Sequence, residues 1–286
     1  MKRKYSYKDN DSILYLVATP IGNLEDITYR AVRVLKEVSY IYAEDTRNSL
    51  VLLNHYNIST PLLSYHDFNK ELKNDEIINH LKNGKSVAII SDAGLPVISD
   101  PGYNICVSAI EKDISVTTIP GCCAYVSALV ASGLSPMPNT FYGFLDSKSS
   151  KRKEELNSIK FNKSTMIFYE APHRIIDTLN DMLEVLGDRY VVLARELTKK
   201  FEEYIRGNIS SLLADTTLFK GEMVILVEGY KEEINNNINY IDKINELIKL
   251  GMKNNEAIKE VSSMYGLDKK KLYSEYVKYK ETLYND

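Results

Sequence analysis

The sequence predicts an α/β protein of two domains with a small helical appendix, on three observations. Short apolar runs alternate with helical patterns from Ile13 to Ile119, and again from Phe141 to Val227. A break rich in turn formers, Leu134-Ser-Pro-Met-Pro-Asn-Thr140, separates the two series, and after Tyr230 only helical patterns remain. Strands alternating with helices specify a mostly parallel sheet covered on both faces. A chain of 286 residues is long for one domain and comfortable for two. The expected division is a flexible tail at residues 1–12, an N-terminal α/β domain at 13–135, a C-terminal α/β domain at 136–230 and a small helical domain at 231–286.

In chain order, the first series places strands at Ile13–Ala18, Tyr40–Ala43, Leu62–Tyr65, Val87–Ser91 and Val116–Ile119. The clearest helix is Thr28–Val38. Ala31, Val34, Leu35 and Val38 share one face, while Arg30, Arg33 and Lys36 point elsewhere. Helices over Glu71–Asn83 and Ala124–Ser132 stop at Gly84 and Gly133, since glycine most readily takes the left-handed conformation that closes a helix. The second series places strands at Phe141–Phe144, Thr165–Tyr169, Tyr190–Ala194 and Met223–Val227, and Phe201–Arg206 is suited to an added antiparallel strand. Helices over Lys151–Ile159 and His173–Leu186 fit between them, the second opened by Pro172 and closed by Gly187. The final patterns, Asn239–Leu250, Asn255–Tyr265 and Asp268–Thr282, resemble a helix-turn-helix-like bundle, suited to packing or dimerisation or to docking on nucleic acid.

Composition narrows the classes. No segment approaches the roughly 18–20 apolar residues that span a bilayer, and the polar stretch Met1–Ser12 reads as a tail rather than a secretory signal. The three cysteines, Cys106, Cys122 and Cys123, form no Cys-x-x-Cys, and no histidine lies at ligand spacing. A disulfide framework and a metal site are therefore not expected, and a reducing, cytoplasmic setting is. The net charge of −3 announces no nucleic-acid binder, so RNA contact must come from local patches such as Lys148, Lys151, Arg152 and Lys153, or Lys269–Lys271.

Ligands of open parallel sheets bind beyond the carboxyl ends of the strands. Here those ends run into Thr19-Pro20-Ile21-Gly22-Asn23, Glu44-Asp45-Thr46-Arg47, His66-Asp67, Asp92-Ala93-Gly94-Leu95-Pro96 and Pro120-Gly121. In the second series they run into Tyr169-Glu170-Ala171-Pro172-His173-Arg174 and Arg195-Glu196-Leu197-Thr198-Lys199. Polar and turn-forming groups thus gather at one edge of both sheets, as a shared cleft requires. Singly, Asp45-Thr46 or Asp92 reads equally well as a helix cap. Neither a Gly-x-Gly-x-x-Gly after the first strand nor a Walker loop is present. From these residues alone the ligand stays open.

The stretch Ser91-Asp-Ala-Gly-Leu-Pro-Val-Ile-Ser-Asp-Pro-Gly102 resembles the tetrapyrrole methylase superfamily. Within it, the branch that 2′-O-methylates a cytidine of small-subunit ribosomal RNA is also similar at Thr19–Thr28, Ala43-Glu-Asp-Thr-Arg47, Phe168-Tyr-Glu170 with His173-Arg174, Ala194–Lys199 and Gly221-Glu-Met-Val224. The sequence departs from that pattern at Leu95, where the family usually has threonine, and at Cys122, where it usually has proline. The resemblance implies two α/β domains with an interdomain cleft that holds S-adenosylmethionine largely through backbone. By position, the binding residues would be Pro20, Asp92, Ala93, Gly94, Leu95, Pro96, Val97, Cys123, Ala124, Tyr169, Ala194, Glu222 and Met223. A ribose hydroxyl needs a positioned base or a nearby cation. Glu170, Lys199 and Asp45 are the candidates, with Glu44, His66 and His173 also within the set. Arg47, Lys148, Lys151, Arg152, His173, Arg174 and Arg195 are expected to contact RNA, with ribosomal RNA or the small subunit as partner and a homodimer as the assembly. The alternatives are a tetrapyrrole C-methyltransferase and a non-catalytic RNA-binding assembly factor.

Overall fold

Apolar alternation along the strands dictates how the first sheet is covered. In the computed structural model, which describes residues 5–7, 12–66, 70–215, 221–231, 239–265 and 267–283, β1 (Ile13–Val17), β2 (Tyr40–Ala43), β3 (Leu62–Ser64), β4 (Val87–Ile90) and β5 (Ser115–Ile119) pair in parallel, in the order β3-β2-β4-β1-β5. All four residues of central β4 are buried. Successive strand side chains alternate faces, so Ala88 and Ile90 join Val34, Leu35 and Ile41 in one cluster, while Val87 and Ile89 join Leu14, Tyr42 and Ile77 in another. The first cluster is capped by α1 (Tyr29–Glu37), whose N-cap Thr28 accepts the Ala31 N–H at 3.1 Å. The second is covered by α3 (Lys70–Lys82) and α4 (Tyr103–Glu111). Much of the expected tail at residues 1–12, together with Asp67 and Gly266, falls outside the described residues.

Two helices of this half were expected only as helical stretches between strands, without bounds. α2 (Thr46–His55) buries only Ser49, Leu52 and Leu53, and α4 buries only Ile105 and Ala109. Neither carries the continuous apolar stripe that marks a helix in sequence.

The second sheet is mixed, not mainly parallel. Its strands are β6 (Asn139–Phe144), β7 (Thr165–Glu170), β8 (Tyr190–Arg195), β9 (Glu203–Asn208) and β10 (Met223–Val227), in the order β6-β7-β10-β8-β9. Only β6–β7 is parallel. β10 runs antiparallel to both β7 and β8, and β9 antiparallel to β8. The short link from β8 to β9 leaves no room for the crossover that a parallel neighbour needs. One face carries α6 (Ser149–Ser158), α7 (Ile175–Leu186) and the short α8 (Ile209–Leu213). The other face is covered by α5 (Ala124–Ser132), whose Ala128 and Leu129 pack on Ile167, Val192 and Val224. Residues 1–230 make one compact unit.

Residues 231–286 make a second unit. Here α9 (Tyr240–Lys249), α10 (Asn254–Tyr265) and α11 (Lys269–Leu283) close around Ile244, Ala257, Ile258, Val261, Leu272 and Tyr276. Among the described residues, no helix is long and apolar enough to cross a membrane.

Candidate active site

Two loops of the parallel sheet are locked together at its carboxyl edge. The Thr19 N–H donates to the Gly94 carbonyl at 2.9 Å and the Gly94 N–H donates back at 3.0 Å, which ties the loop after β1 to the loop after β4. The buried Thr19 hydroxyl donates to the Ser91 carbonyl at 3.0 Å, and the Ser91 hydroxyl to the Gly94 carbonyl at 3.0 Å. Gly94 turns at φ +86°, a conformation that costs little only without a Cβ. Val97 and Ser99 further along the same loop also sit at positive φ, 77° and 65°. Each such non-glycine residue stores about 1–3 kcal/mol, and strain of this kind collects where a loop is held for a purpose.

The facing wall is built by register. Met223 of β10 lies opposite both Glu170 of β7 and Arg195 of β8. The ends of β7 and β8 and the beginning of β10 therefore share one edge despite the antiparallel pairing. The two edges meet closely: a Cβ on Gly22 would come within 2.6 Å of Lys199 Cγ.

Between the walls lies a cavity of about 570 Å³. Of the residues the sequence marks for the cofactor, Asp92, Ala93, Gly94, Leu95, Cys123, Ala124, Tyr169, Glu222 and Met223 line it. Pro20 and Pro96 are buried behind the loops, Val97 is half-buried off the lining, and Ala194 is fully enclosed in the second sheet. The lining also includes Ile21, Ile98, Ser99, Asp100, Phe144 and Leu197, which sequence reasoning did not single out. Asp100 lay within the quoted Ser91–Gly102 stretch, but only the fold shows that the loop turns back to present it.

The charged candidates differ sharply in what already holds them. Glu170, 2% exposed, accepts the Thr178 hydroxyl at 2.5 Å and the Ala171 N–H at 2.8 Å, and lies 3.3 Å from Arg174 Nε. Lys199 Nζ sits 3.1 Å from Glu196 and 3.4 Å from Glu222. Burial alone would lower its pKa, but the two carboxylates raise it on balance, so it is a fixed cation rather than a base. Asp45 caps α2 and grips Arg47 at 3.0 Å (Nε) and 2.6 Å (Nη2). The Arg47 guanidinium brings its pKa down to about 2. Asp92 accepts from Asn48 Nδ2 at 3.0 Å. Asp100 is different: burial first, then the Glu44 and Asp92 carboxylates, push it up to about 6, opposed by a hydrogen bond from Ser91. Burial likewise raises the Tyr169 phenol, which stays protonated.

The residues marked for RNA also divide. Arg47 (side chain 87% exposed), Lys148, Lys151 and His173 face outward, and His173 borders the cavity. Arg152 turns inward, 3% exposed, to hold Asp181 at 2.7 Å. Arg174 donates to the Leu145 and Asp146 carbonyls at 2.8 and 3.1 Å, and Arg195 pairs with Glu203. Helical spacing hints at the Arg152 result, since Arg152 and Leu156 share the buried face of α6.

Comparison with known proteins bears on this geometry. The family profile for Tetrapyrrole (Corrin/Porphyrin) Methylases matches residues 13–213. The chain is 45% identical over 283 residues to Ribosomal RNA small subunit methyltransferase I of Halalkalibacterium halodurans, covering 96% of this chain and 98% of that one. It is 44% identical to the Bacillus subtilis protein of the same name, again over 96% and 98%. Among solved structures, diphthine synthase superposes with a TM-score of 0.59 at 13% identity, covering 76% of this chain and 90% of that one. Uroporphyrin-III-C-methyltransferase of Thermus thermophilus does so at 0.55 and 18%, covering 76% and 94%. At those identities the structural likeness speaks to the fold alone.

Proposed function

The chain belongs to the tetrapyrrole methylase family, and from that premise we propose that it is an S-adenosylmethionine-dependent methyltransferase that 2′-O-methylates a cytidine ribose in small-subunit ribosomal RNA, acting as a cytoplasmic homodimer. The observation that carries this reading is the near-full-length likeness to proteins named for small-subunit ribosomal RNA. It extends past the α/β unit into the helical unit and favours RNA over a tetrapyrrole.

The residues present fit the cofactor. About 570 Å³ lies within the usual range for small-molecule sites. Ile21, Leu95, Leu197 and Met223 offer apolar wall, and Asp92 and Asp100 offer carboxylates suited to cationic groups. Cys123 at the start of α5 makes no side-chain cap, so that helix end has amides to offer an anionic group. The Asp92–Leu95 turn, Cys123-Ala124 and Glu222-Met223 would hold it.

When bound, S-adenosylmethionine supplies a methyl group already activated by its attachment to a sulfonium. The work left to the protein is alignment, exclusion of water and removal of one proton. Tyr169 keeps its phenolic proton, so it can offer a hydrogen bond from its side of the cavity and does not serve as the base. Lys199, held by Glu196 and Glu222, contributes positive charge and anchors the loop against Gly22. The exposed Phe144 ring, edge-on to Tyr169 at 5.5 Å, and exposed His173 flank the cavity as surfaces on which a nucleobase can stack.

The test is transfer of labelled methyl from S-adenosylmethionine to small subunits lacking the modification, followed by mapping. Label on a cytidine ribose is the expected result. Label on a base, or none, contradicts the assignment.

A further inference from the structure

The helical unit, residues 231–286, lies beyond the stretch matched by the family profile, which ends at residue 213. Its charges are unevenly placed. α9 and α10 begin as helices ordinarily do, with an acid in the first turn, Asp242 and Glu256 respectively. α11 begins with Lys269, Lys270 and Lys271, all exposed, and has no acid in its first turn. The start of a helix is the positive end of its dipole, so three cations there work against the helix itself. Asp268, the carboxylate beside them, is engaged as the cap and accepts the Lys271 N–H at 2.8 Å. Lys243 of α9 is tied to Glu246, whereas the three lysines that open α11 form no ion pair among the described residues.

The positive charge continues along the helix. α11 packs inward through Leu272 and Tyr276, and the Tyr276 hydroxyl donates to Asn245 Oδ1 at 3.0 Å. Lys270, Tyr273, Val277 and Lys280 follow one another at spacings of three and four, so they share a different side of the helix, with Lys269 one turn before Tyr273. No acid falls on that stripe. Two tyrosines three residues apart are thus used in opposite ways: Tyr276, 3% exposed, builds the core, while Tyr273, 47% exposed, stands among the cations. Unpaired lysines set against the helix dipole contribute nothing to folding, and an exposed ring between them adds a flat apolar surface. A polyanion that also offers unpaired bases answers both features, through phosphates on the lysines and a base on the ring. A carboxylate-bearing protein face answers the lysines alone.

We propose that the face of α11 formed by Lys269, Lys270, Lys271, Tyr273 and Lys280 is an RNA-docking surface, with which the helical unit holds the RNA substrate. The proposal rests on the RNA-methyltransferase reading above and gives the helical unit its part in it. Both units belong to one chain, so a contact made by the second raises the effective concentration of RNA at the first. No group of this surface takes part in methyl transfer. Its signature is therefore in the affinity for RNA and its dependence on salt, and not in the affinity for the cofactor.

The experiment compares the full chain with a triple variant, Lys269→Gln/Lys270→Gln/Lys271→Gln, with Tyr273→Ala, and with a control, Lys249→Gln/Lys253→Gln/Lys259→Gln. The control removes the same charge from exposed positions elsewhere in the unit. Affinity for protein-free small-subunit RNA and for unmodified small subunits is measured over a range of salt, with S-adenosylmethionine binding by calorimetry and melting temperature alongside. The triple variant is expected to bind both RNA and subunits about 10-fold or more weakly and to flatten the plot of log affinity against log salt by about 2–3. Its melting temperature should hold or rise, because cations have left the positive end of a helix, and its cofactor affinity should be unchanged. Tyr273→Ala should weaken binding about 5-fold with the salt slope retained, and the control should stay within about twofold of wild type. Wild-type affinity in the triple variant, or an equal loss in the control, overturns the proposal. So does a loss seen with whole subunits but not with protein-free RNA, which would make a subunit protein the partner. Docking that behaves as expected in a chain that transfers no methyl group would leave this surface standing and bring down the methylation reading instead.

Discussion

The two walls of the cleft reach the same place by different physics. On the parallel sheet, loops leaving β1 and β4 are fixed by backbone hydrogen bonds between Thr19 and Gly94 and by positive-φ turns, which leaves side chains such as Asp100 facing the cavity. On the mixed sheet, the antiparallel register of β10 against β7 and β8 aligns the edge, and its charged groups are taken up by one another: Glu170 with Thr178 and Arg174, Lys199 with Glu196 and Glu222, Arg195 with Glu203. A carboxylate already satisfied by hydrogen bonds is a poor base, whereas one destabilised by burial and like charges is a good one. The contrast is one of load: the parallel wall presents Asp100 under burial and like charge, while the charged groups of the mixed wall are taken up by their neighbours.

Substitutions can break or sharpen this contrast. The largest effect is expected at Gly94, where a β-branched side chain is incompatible with φ +86°. Gly94→Val should weaken cofactor binding by about 10–100-fold, corresponding to roughly 1–3 kcal/mol of turn strain, measured by calorimetric titration. Affinity close to wild type would mean that the turn is not part of the site. On the mixed wall, Thr178→Val removes the hydroxyl that Glu170 accepts. It should cost about 1–3 kcal/mol of stability, read as a lowered melting temperature, with the single-turnover rate changed little. A large rate loss at unchanged stability would give the Glu170 wall a direct part in the reaction.

The smallest effect is thermodynamic, and its sign is opposite to that of a structural carboxylate. Asp100 has a folded-state pKa raised from 3.8 to about 6. The folded state thus binds the proton more tightly, and the protonated form's contribution to stability is complete below about pH 4 and is lost as pH rises through about 6. Asp100→Asn, which cannot ionise, should therefore be more stable than wild type at pH 8 by about 1 kcal/mol after allowance for solvent screening, seen as a raised melting temperature, with the gain gone at pH 4. Equal or lower stability of the variant at pH 8 would show that Asp100 is not held under electrostatic load.

Much of the fold was legible because buried strands advertise themselves. Val87–Ile90 and Met223–Val227 are continuous apolar runs, and the one-sided stripe of Tyr29–Glu37 marks its helix. Direction was not legible, since the same run serves a parallel or an antiparallel neighbour, and the mixed second sheet emerged only with its register. The bounds of α2 and α4 were not legible because two or three buried side chains make no recognisable period. In the site, Asp92–Leu95 and Tyr169 could be placed because they follow strand ends. The inward turn of Arg152 and the load on Asp100 depend on burial and on neighbours distant in sequence, Asp181 for the one and Glu44 for the other.

If the proposed cofactor site is correct, both sheets contribute backbone to it. Amide hydrogen exchange with and without S-adenosylmethionine tests it most directly. Slowed exchange is expected together at residues 92–95, at the start of α5 and at 222–224. Slowing confined to the edge of a single sheet, or no slowing at saturating cofactor, would contradict it.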